Sequence, residues 1–178
     1  MKHHKTLNSK IAFTSHMFKV EAEEVELNSG KVAFRDRVVH PGAVVILPQL
    51  TNGNLLLVRQ YRHPIRKELI EFPAGTIEAA EFPMRCAERE LEEEVGRKAK
   101  EWVQLGQLYP APGFCSEIQH LFLARWMTEV EQKLDEDELI NEVLEMSPIE
   151  IEEKIKSCEI TDGKTIASYF RAKLQGYL

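Results

Sequence analysis

Five glutamates fall in the seven residues from Glu88 to Glu94: Glu88, Glu90, Glu92, Glu93 and Glu94, with Arg89 among them. Carboxylates one helical turn apart are hard oxygen donors, the ligands a divalent cation takes alongside substrate phosphates. With about 3.6 residues per helical turn, Met84, Ala87, Leu91 and Val95 share one stripe, which reads as the buried face. Glu90 and Glu94 are neighbours on an adjoining face, and Glu93 lies three residues from Glu90. Like charges at these spacings repel by roughly 0.2–0.5 kcal/mol per pair. The C-terminal turn of a helix disfavours anions by about 0.3–1 kcal/mol each. Arg89 can reach Glu93 four residues on, but one arginine leaves the cluster strongly negative. A solvated acidic face is one reading of such a run; a divalent cation, which turns repulsion into attraction, is the other.

The elements around the run must hold it. Alternation of apolar and polar residues about Asn28-Ser29-Gly30 predicts a β-hairpin, Phe18–Leu27 and Lys31–Val39. GAVVILP reads as a buried strand, and TNGNLLLVRQYR adds an Asn52-Gly53 turn and another strand. KELIEFPAG is a strand ending at Pro73 and Gly75, ahead of the glutamate-rich helix with Pro83 in its first turn. Two strands follow, WVQLGQLYPAPGF and EIQHLFLARWM, about a Pro/Gly loop. DEDELINEVLEMS begins as an acidic loop and becomes a strand. Ser147-Pro148 is an N-cap and first-position pair opening one helix, and DGKTIASYFRAKLQ is the last. Many strands with three interspersed helices make a mixed sheet flanked by helices, an α/β (α+β) class. The polar opening MKHHKTLNSK reads as a tail.

Composition narrows the partners. The 178 residues suffice for one domain with a core plus a small appendage. A formal net charge of −6 argues against nucleic acid, which calls for a basic face. No apolar run is long enough to span a bilayer, no signal-peptide pattern opens the chain, and three cysteines form no obvious pairing. A cytoplasmic protein without a membrane partner is expected.

The run resembles the signature of the Nudix hydrolases: a glycine, five residues, a glutamate, seven residues, Arg-Glu, an apolar residue, any residue, Glu-Glu, any residue and a glycine. Here these are Gly75, Glu81, Arg89, Glu90, Leu91, Glu93, Glu94 and Gly96. Arg97 departs from the apolar residue usual at the next position. ELIEFPAG before the box and Pro112 in PGF after it are similar to the ADP-ribose and nucleoside-diphosphate-sugar pyrophosphatase branch. The resemblance runs from about residue 35 to the end.

It implies an α/β/α sandwich over residues 41–178, preceded by an N-terminal antiparallel β subdomain, residues 1–40, that packs across a homodimer. It implies Mg²⁺, with Mn²⁺ as the other ion that carboxylates accept. Glu90, Glu94, the backbone carbonyl of Ala74 and Glu138 would be metal ligands. Glu136 in the acidic loop would be the catalytic base, with Glu93 close to the metals and Arg89 orienting a glutamate. Gly75 is expected to permit a tight strand-to-helix turn, and Glu81 has an ordinary reason to stand near a helix N-terminus. Arg62 is the first candidate to grip the diphosphate, then Arg37 and Arg59, because the guanidinium fork can donate two hydrogen bonds. Phe18, Phe34 and Tyr61 are candidates to stack on the base, whereas Trp102 and Trp126 read as core or edge packing. The implied reaction is hydrolysis of the diphosphate bond of ADP-ribose or a related nucleoside diphosphate sugar. A GDP-mannose or broad-range pyrophosphatase and a non-catalytic nucleotide-sugar sensor stay open beside it.

Overall fold

The computed structural model describes residues 4–133 and 139–178, in two compact units. The first unit comprises residues 1–42 and 109–118. Its three strands, β1 (Lys5–Thr14), β2 (Lys19–Glu26) and β3 (Val32–Val39), form an antiparallel sheet in that order. β2 and β3 follow the alternation and the Asn-Ser-Gly turn. β1 does not end up as the tail its composition suggests: it pairs along β2 from Lys5–Glu26 to Thr14–Lys19, although all its residues are exposed. Backbone pairing needs no apolar side chain, so composition was silent about it. Segment 109–118 joins this unit through β3. Val38 N–H donates to the Phe114 carbonyl, and Ser116 N–H donates back to Val38.

The second unit comprises residues 43–108 and 119–178. In chain order it contains β4 (Ala43–Pro48), β5 (Leu55–Arg62), β6 (Lys67–Glu71), β7 (Ala74–Thr76), α1 (Pro83–Val95), β8 (Arg97–Leu108), β9 (Gln119–Glu129), β10 (Ile140–Met146), α2 (Pro148–Lys156) and α3 (Gly163–Leu174). One sheet is mixed, ordered β7-β4-β9-β8, with β4 and β9 parallel; the other is antiparallel, β10-β5-β6.

Strand side chains alternate between faces, and the buried strands β4 and β5 use both. Val44, Ile46, Leu56 and Val58 pack with Cys86, Ala87, Leu91 and Val95 of α1. Val45, Leu47, Leu55 and Leu57 pack with Ile151 of α2 and with Tyr169 and Ala172 of α3. Helices therefore cover both sides of the strands, an α/β/α sandwich. Each helix has a local reason to start and stop. Ser147 and Glu150 close a capping box on α2, Asp162 caps α3, and Pro83 occupies the first turn of α1.

α1 ends at Gly96, whose φ of 64° is left-handed and whose N–H reaches the carbonyls of Glu92 and Leu91. A side chain there would also come within 3.1 Å of the Val130 carbonyl. Gly96→Ala should cost roughly 1–2 kcal/mol of stability, read as a lower urea midpoint with an unchanged slope.

Candidate active site

α1 carries its acids inward. Glu90 is 5% exposed and Glu94 1%, so the face adjoining the apolar stripe is itself buried. Burying an ionised carboxylate costs several kcal/mol unless it is paired and hydrogen-bonded. Arg89 supplies much of that pairing. It donates to both oxygens of Glu81 from Nε and Nη2, at 3.0 and 3.2 Å. From Nη1 it donates to Glu90 at 2.7 Å and to Glu93 at 2.8 Å. Nη2 also reaches the Thr76 carbonyl at 3.3 Å. Burial opposes the Arg89 charge, but the Glu81 bonds, the Glu90 charge and the Glu93 bond outweigh it and raise its pKa. The remaining acids have partners as well: Glu94 accepts from Ala74 N–H at 3.0 Å, Glu88 pairs with Arg85, and Glu92 with Lys98. Protein groups thus offset far more of the repulsion than the i,i+4 spacing suggested, because Arg89 reaches three carboxylates rather than one.

One sequence expectation is corrected here. Gly75 does not adopt a left-handed φ; it lies in β7. A Cβ on it would stand 1.8 Å from Cδ and Oε1 of Glu90, so only glycine leaves that carboxylate where it is. Glu81 stands just before the N-cap Phe82, near the start of α1 as expected, and its carboxylate also holds Arg89. The Arg89 bond, against a smaller effect of burial, keeps Glu81 below the usual carboxylate range.

β5 carries the arginines. Arg62 follows the alternation of Leu56, Val58 and Gln60 toward the α1 side, where the charge of Glu94 acts on it. It is held by Glu71 of β6, which accepts from Nε at 2.9 Å and Nη2 at 2.6 Å. Arg59 lies on the opposite face and pairs with Glu142 of β10 at 3.3 Å. Arg37 belongs to the first unit, where it pairs with Glu21 at 2.7 Å and Glu23 at 3.7 Å. Phe34, also in that unit, is 75% exposed. Phe18 of that unit lies against Phe13 and Tyr61 of β5 against His63. Trp102 packs edge-on against Phe122. Trp126 is exposed instead of packed, with its indole N–H on Glu101.

Glu136 and Glu138 lie outside the described residues. The chain on either side of them is tied to the site: the Gln132 side chain donates to the Glu94 carbonyl at 2.6 Å, and Tyr61 N–H donates to the Leu139 carbonyl at 3.1 Å. Glu71 and Lys164 were not singled out from the sequence. An acid among the apolar residues of ELIEF was the available signal for Glu71.

Among the described residues, no three His, Cys, Asp or Glu side chains form a ready metal cage. The donor set still fits a hard divalent cation. Glu90 and Glu94 are buried carboxylates one turn apart, Glu90 lies against the bare Cα of Gly75, and all are oxygen donors.

A helix of paired carboxylates packed on one face of an α/β/α sandwich defines the class, and the NUDIX domain model matches residues 39–167. The chain belongs to the NUDIX family and is a Nudix hydrolase; such hydrolases generally need divalent metal ions. It is 39% identical over 163 residues to the ADP-ribose pyrophosphatase of Bacillus subtilis (strain 168), covering 90% of this chain and 88% of that protein. It is 35% identical over 173 residues to the methanol dehydrogenase activator of Bacillus methanolicus, covering 96% and 93%. It is 34% identical over 146 residues to the GDP-mannose pyrophosphatase of Yersinia enterocolitica serotype O:8 / biotype 1B, covering 77% and 75%. A crystal structure of an ADP compounds hydrolase superposes with a TM-score of 0.86 at 24% identity, covering all of this chain and 98% of that one, a likeness of fold.

Gly75→Ala should displace the Glu90 carboxylate and lower hydrolytic activity on the order of a hundredfold, with the far-UV circular dichroism unchanged. A second outcome concerns acid stability. The folded pKa of Glu81 is depressed, so its contribution is present above its unfolded pKa and is lost as pH falls through the folded one. Glu81→Gln should therefore lower the melting temperature at pH 7 and lose less of it than the parent on acidification to about pH 3.

Proposed function

We propose that this chain hydrolyses the diphosphate bond of ADP-ribose and related nucleoside diphosphate sugars, with Mg²⁺ as the ion, giving a nucleoside monophosphate and a sugar phosphate. The observation that carries the reading is the complete glutamate box, built with Glu90 and Glu94 buried together, in a chain 39% identical to an ADP-ribose pyrophosphatase over 90% of its length.

Glu90, Glu94, the Ala74 carbonyl and Glu138 would hold the cation. When bound, it supplies positive charge against the diphosphate oxygens and makes a water more acidic. Arg89 keeps Glu90 and Glu93 aimed by sharing Nη1 between them. Arg62 donates to a diphosphate oxygen and offsets its charge; Arg59 points to the opposite face of β5 and is left out of this role. Glu136 takes the proton from the attacking water; the ties of Gln132 and Leu139 beside its loop support that role.

The working form is a homodimer in the cytoplasm. The N-terminal strands, residues 1–40, form the dimerisation subdomain, and the exposed Leu7, Ile11 and Phe13 of β1 favour an apolar contact there. Three free cysteines suit a reducing compartment, and no helix among the described residues is long and apolar enough to cross a membrane. A preference for GDP-mannose is the second reading, favoured by the 34% identity to a GDP-mannose pyrophosphatase.

With ADP-ribose and Mg²⁺, AMP and ribose 5-phosphate should appear in equal amounts, and EDTA should stop their release. Glu94→Gln should lower turnover by at least about a hundredfold, and Glu136→Gln by about 10²–10⁴-fold. Turnover that survives EDTA would refute the metal-dependent reading. A panel including GDP-mannose ranks the sugars, and binding without turnover would mark a sensor.

A further inference from the structure

One buried carboxylate on the α1 side of the second unit has no place in the glutamate box. Glu71, at the end of β6, is 1% exposed and takes two cations at once. Its two oxygens accept from Nε and Nη2 of Arg62, the paired geometry that fixes a guanidinium plane as well as its position. Lys164, in the first turn of α3, donates to the same Oε2 that Nη2 uses. Lys164 in turn lies 3.0 Å from Asp162, the residue that caps α3. The next residue along, Phe72, donates its N–H to Thr165 Oγ1 at 2.8 Å, so the end of β6 is tied twice to the start of α3. Burial pushes the Glu71 carboxyl up, but the Arg62 bonds and the Lys164 charge outweigh it and keep it ionised.

This arrangement does more than neutralise Arg62. An exposed arginine has several rotatable bonds and loses entropy on gripping a ligand. Arg62 has that freedom removed beforehand. Glu71 occupies Nε and one hydrogen of Nη2, while among the described residues Nη1 has no hydrogen-bond partner and the side chain remains 36% exposed. Glu71 cannot follow Arg62 if it swings, because Lys164 anchors it from the helix side. The fork is thus half engaged and half open, beside Glu94.

We propose that Glu71 is a positioning residue for the hydrolysis: it holds the Arg62 guanidinium so that Nη1 meets a diphosphate oxygen, with Lys164 fixing Glu71 in turn. This rests on the reading of Arg62 as a diphosphate ligand.

The test is a double-mutant cycle, with Glu71→Gln and Glu71→Asp each made alone and with Arg62→Ala. Steady-state kinetics on ADP-ribose, calorimetric binding of ADP and thermal unfolding are measured on every folded variant. Glu71→Gln should raise KM and weaken ADP binding by about ten- to a hundredfold, and Glu71→Asp, which keeps the charge, should lose less. In the Arg62→Ala background both substitutions should change kinetics less than about twofold, because the group they aim is gone. An equal loss in both backgrounds, or a lower melting temperature with unchanged kinetics, would reduce Glu71 to a tie between β6 and α3 and overturn the inference. If Glu71→Gln does not fold, Glu71→Asp decides by the same comparison. Impaired Arg62→Ala beside unimpaired Glu71 variants overturns the inference alone; an unimpaired Arg62→Ala overturns the diphosphate reading of Arg62 and the inference with it.

Discussion

The close approach of α1 to β7 constrains everything else at this site. Glu90 lies where a Cβ of residue 75 would be, and Glu94 takes the N–H of Ala74 one residue away. The Glu90 carboxylate can lie against the strand backbone because position 75 carries no side chain. That single omission lets two acids leave water together. Buried carboxylates would ruin a fold without compensation. Here compensation is local and dense: Arg89 for Glu81, Glu90 and Glu93, and Arg62 with Lys164 for Glu71.

The apolar core makes that density tolerable. α1 is fastened by Cys86, Ala87, Leu91 and Val95 to the strand residues Val44, Ile46, Leu56 and Val58. The leucine, isoleucine and valine side chains among them contribute about 1.5–3 kcal/mol each when fully buried, which offsets the cost of ordering the charged groups beside them. Because β4 and β5 feed both faces, the same strands anchor α3 on the far side. The charge network of Glu71 and Lys164 then spans from β6 to the start of α3, so the helix opposite the box still bears on the arginine beside it.

The family relationship leaves substrate choice to details of the site. Proteins bearing the names ADP-ribose pyrophosphatase, GDP-mannose pyrophosphatase and methanol dehydrogenase activator all share more than a third of the aligned residues with this chain. A shared fold does not fix function, which is decided by groups placed on it. In this chain the arginines of interest differ in how firmly they are held. Arg62 is bound by a buried acid, whereas Arg59 and Arg37 rest on exposed pairs that are worth little.

Much of this was legible in the amino-acid order. Gly75, Glu81, Arg89, Glu90, Glu93, Glu94 and Gly96 stand at spacings that announce the box, and alternation together with turn and cap residues announces β2, β3, β4, β5 and all three helices. Those signals are local, carried by neighbours within a turn or a pleat. What the tertiary structure alone decided is which groups meet across long stretches of chain. Glu71 and Lys164 are 93 residues apart, and Ala74 and Glu94 are 20. It also decided that β1 pairs, that Trp126 faces solvent, and that Gly75 is needed for space and not for its torsion. Spacing along a chain reports periodicity, but contact between distant segments depends on how sheets and helices pack, and no single window of sequence contains that.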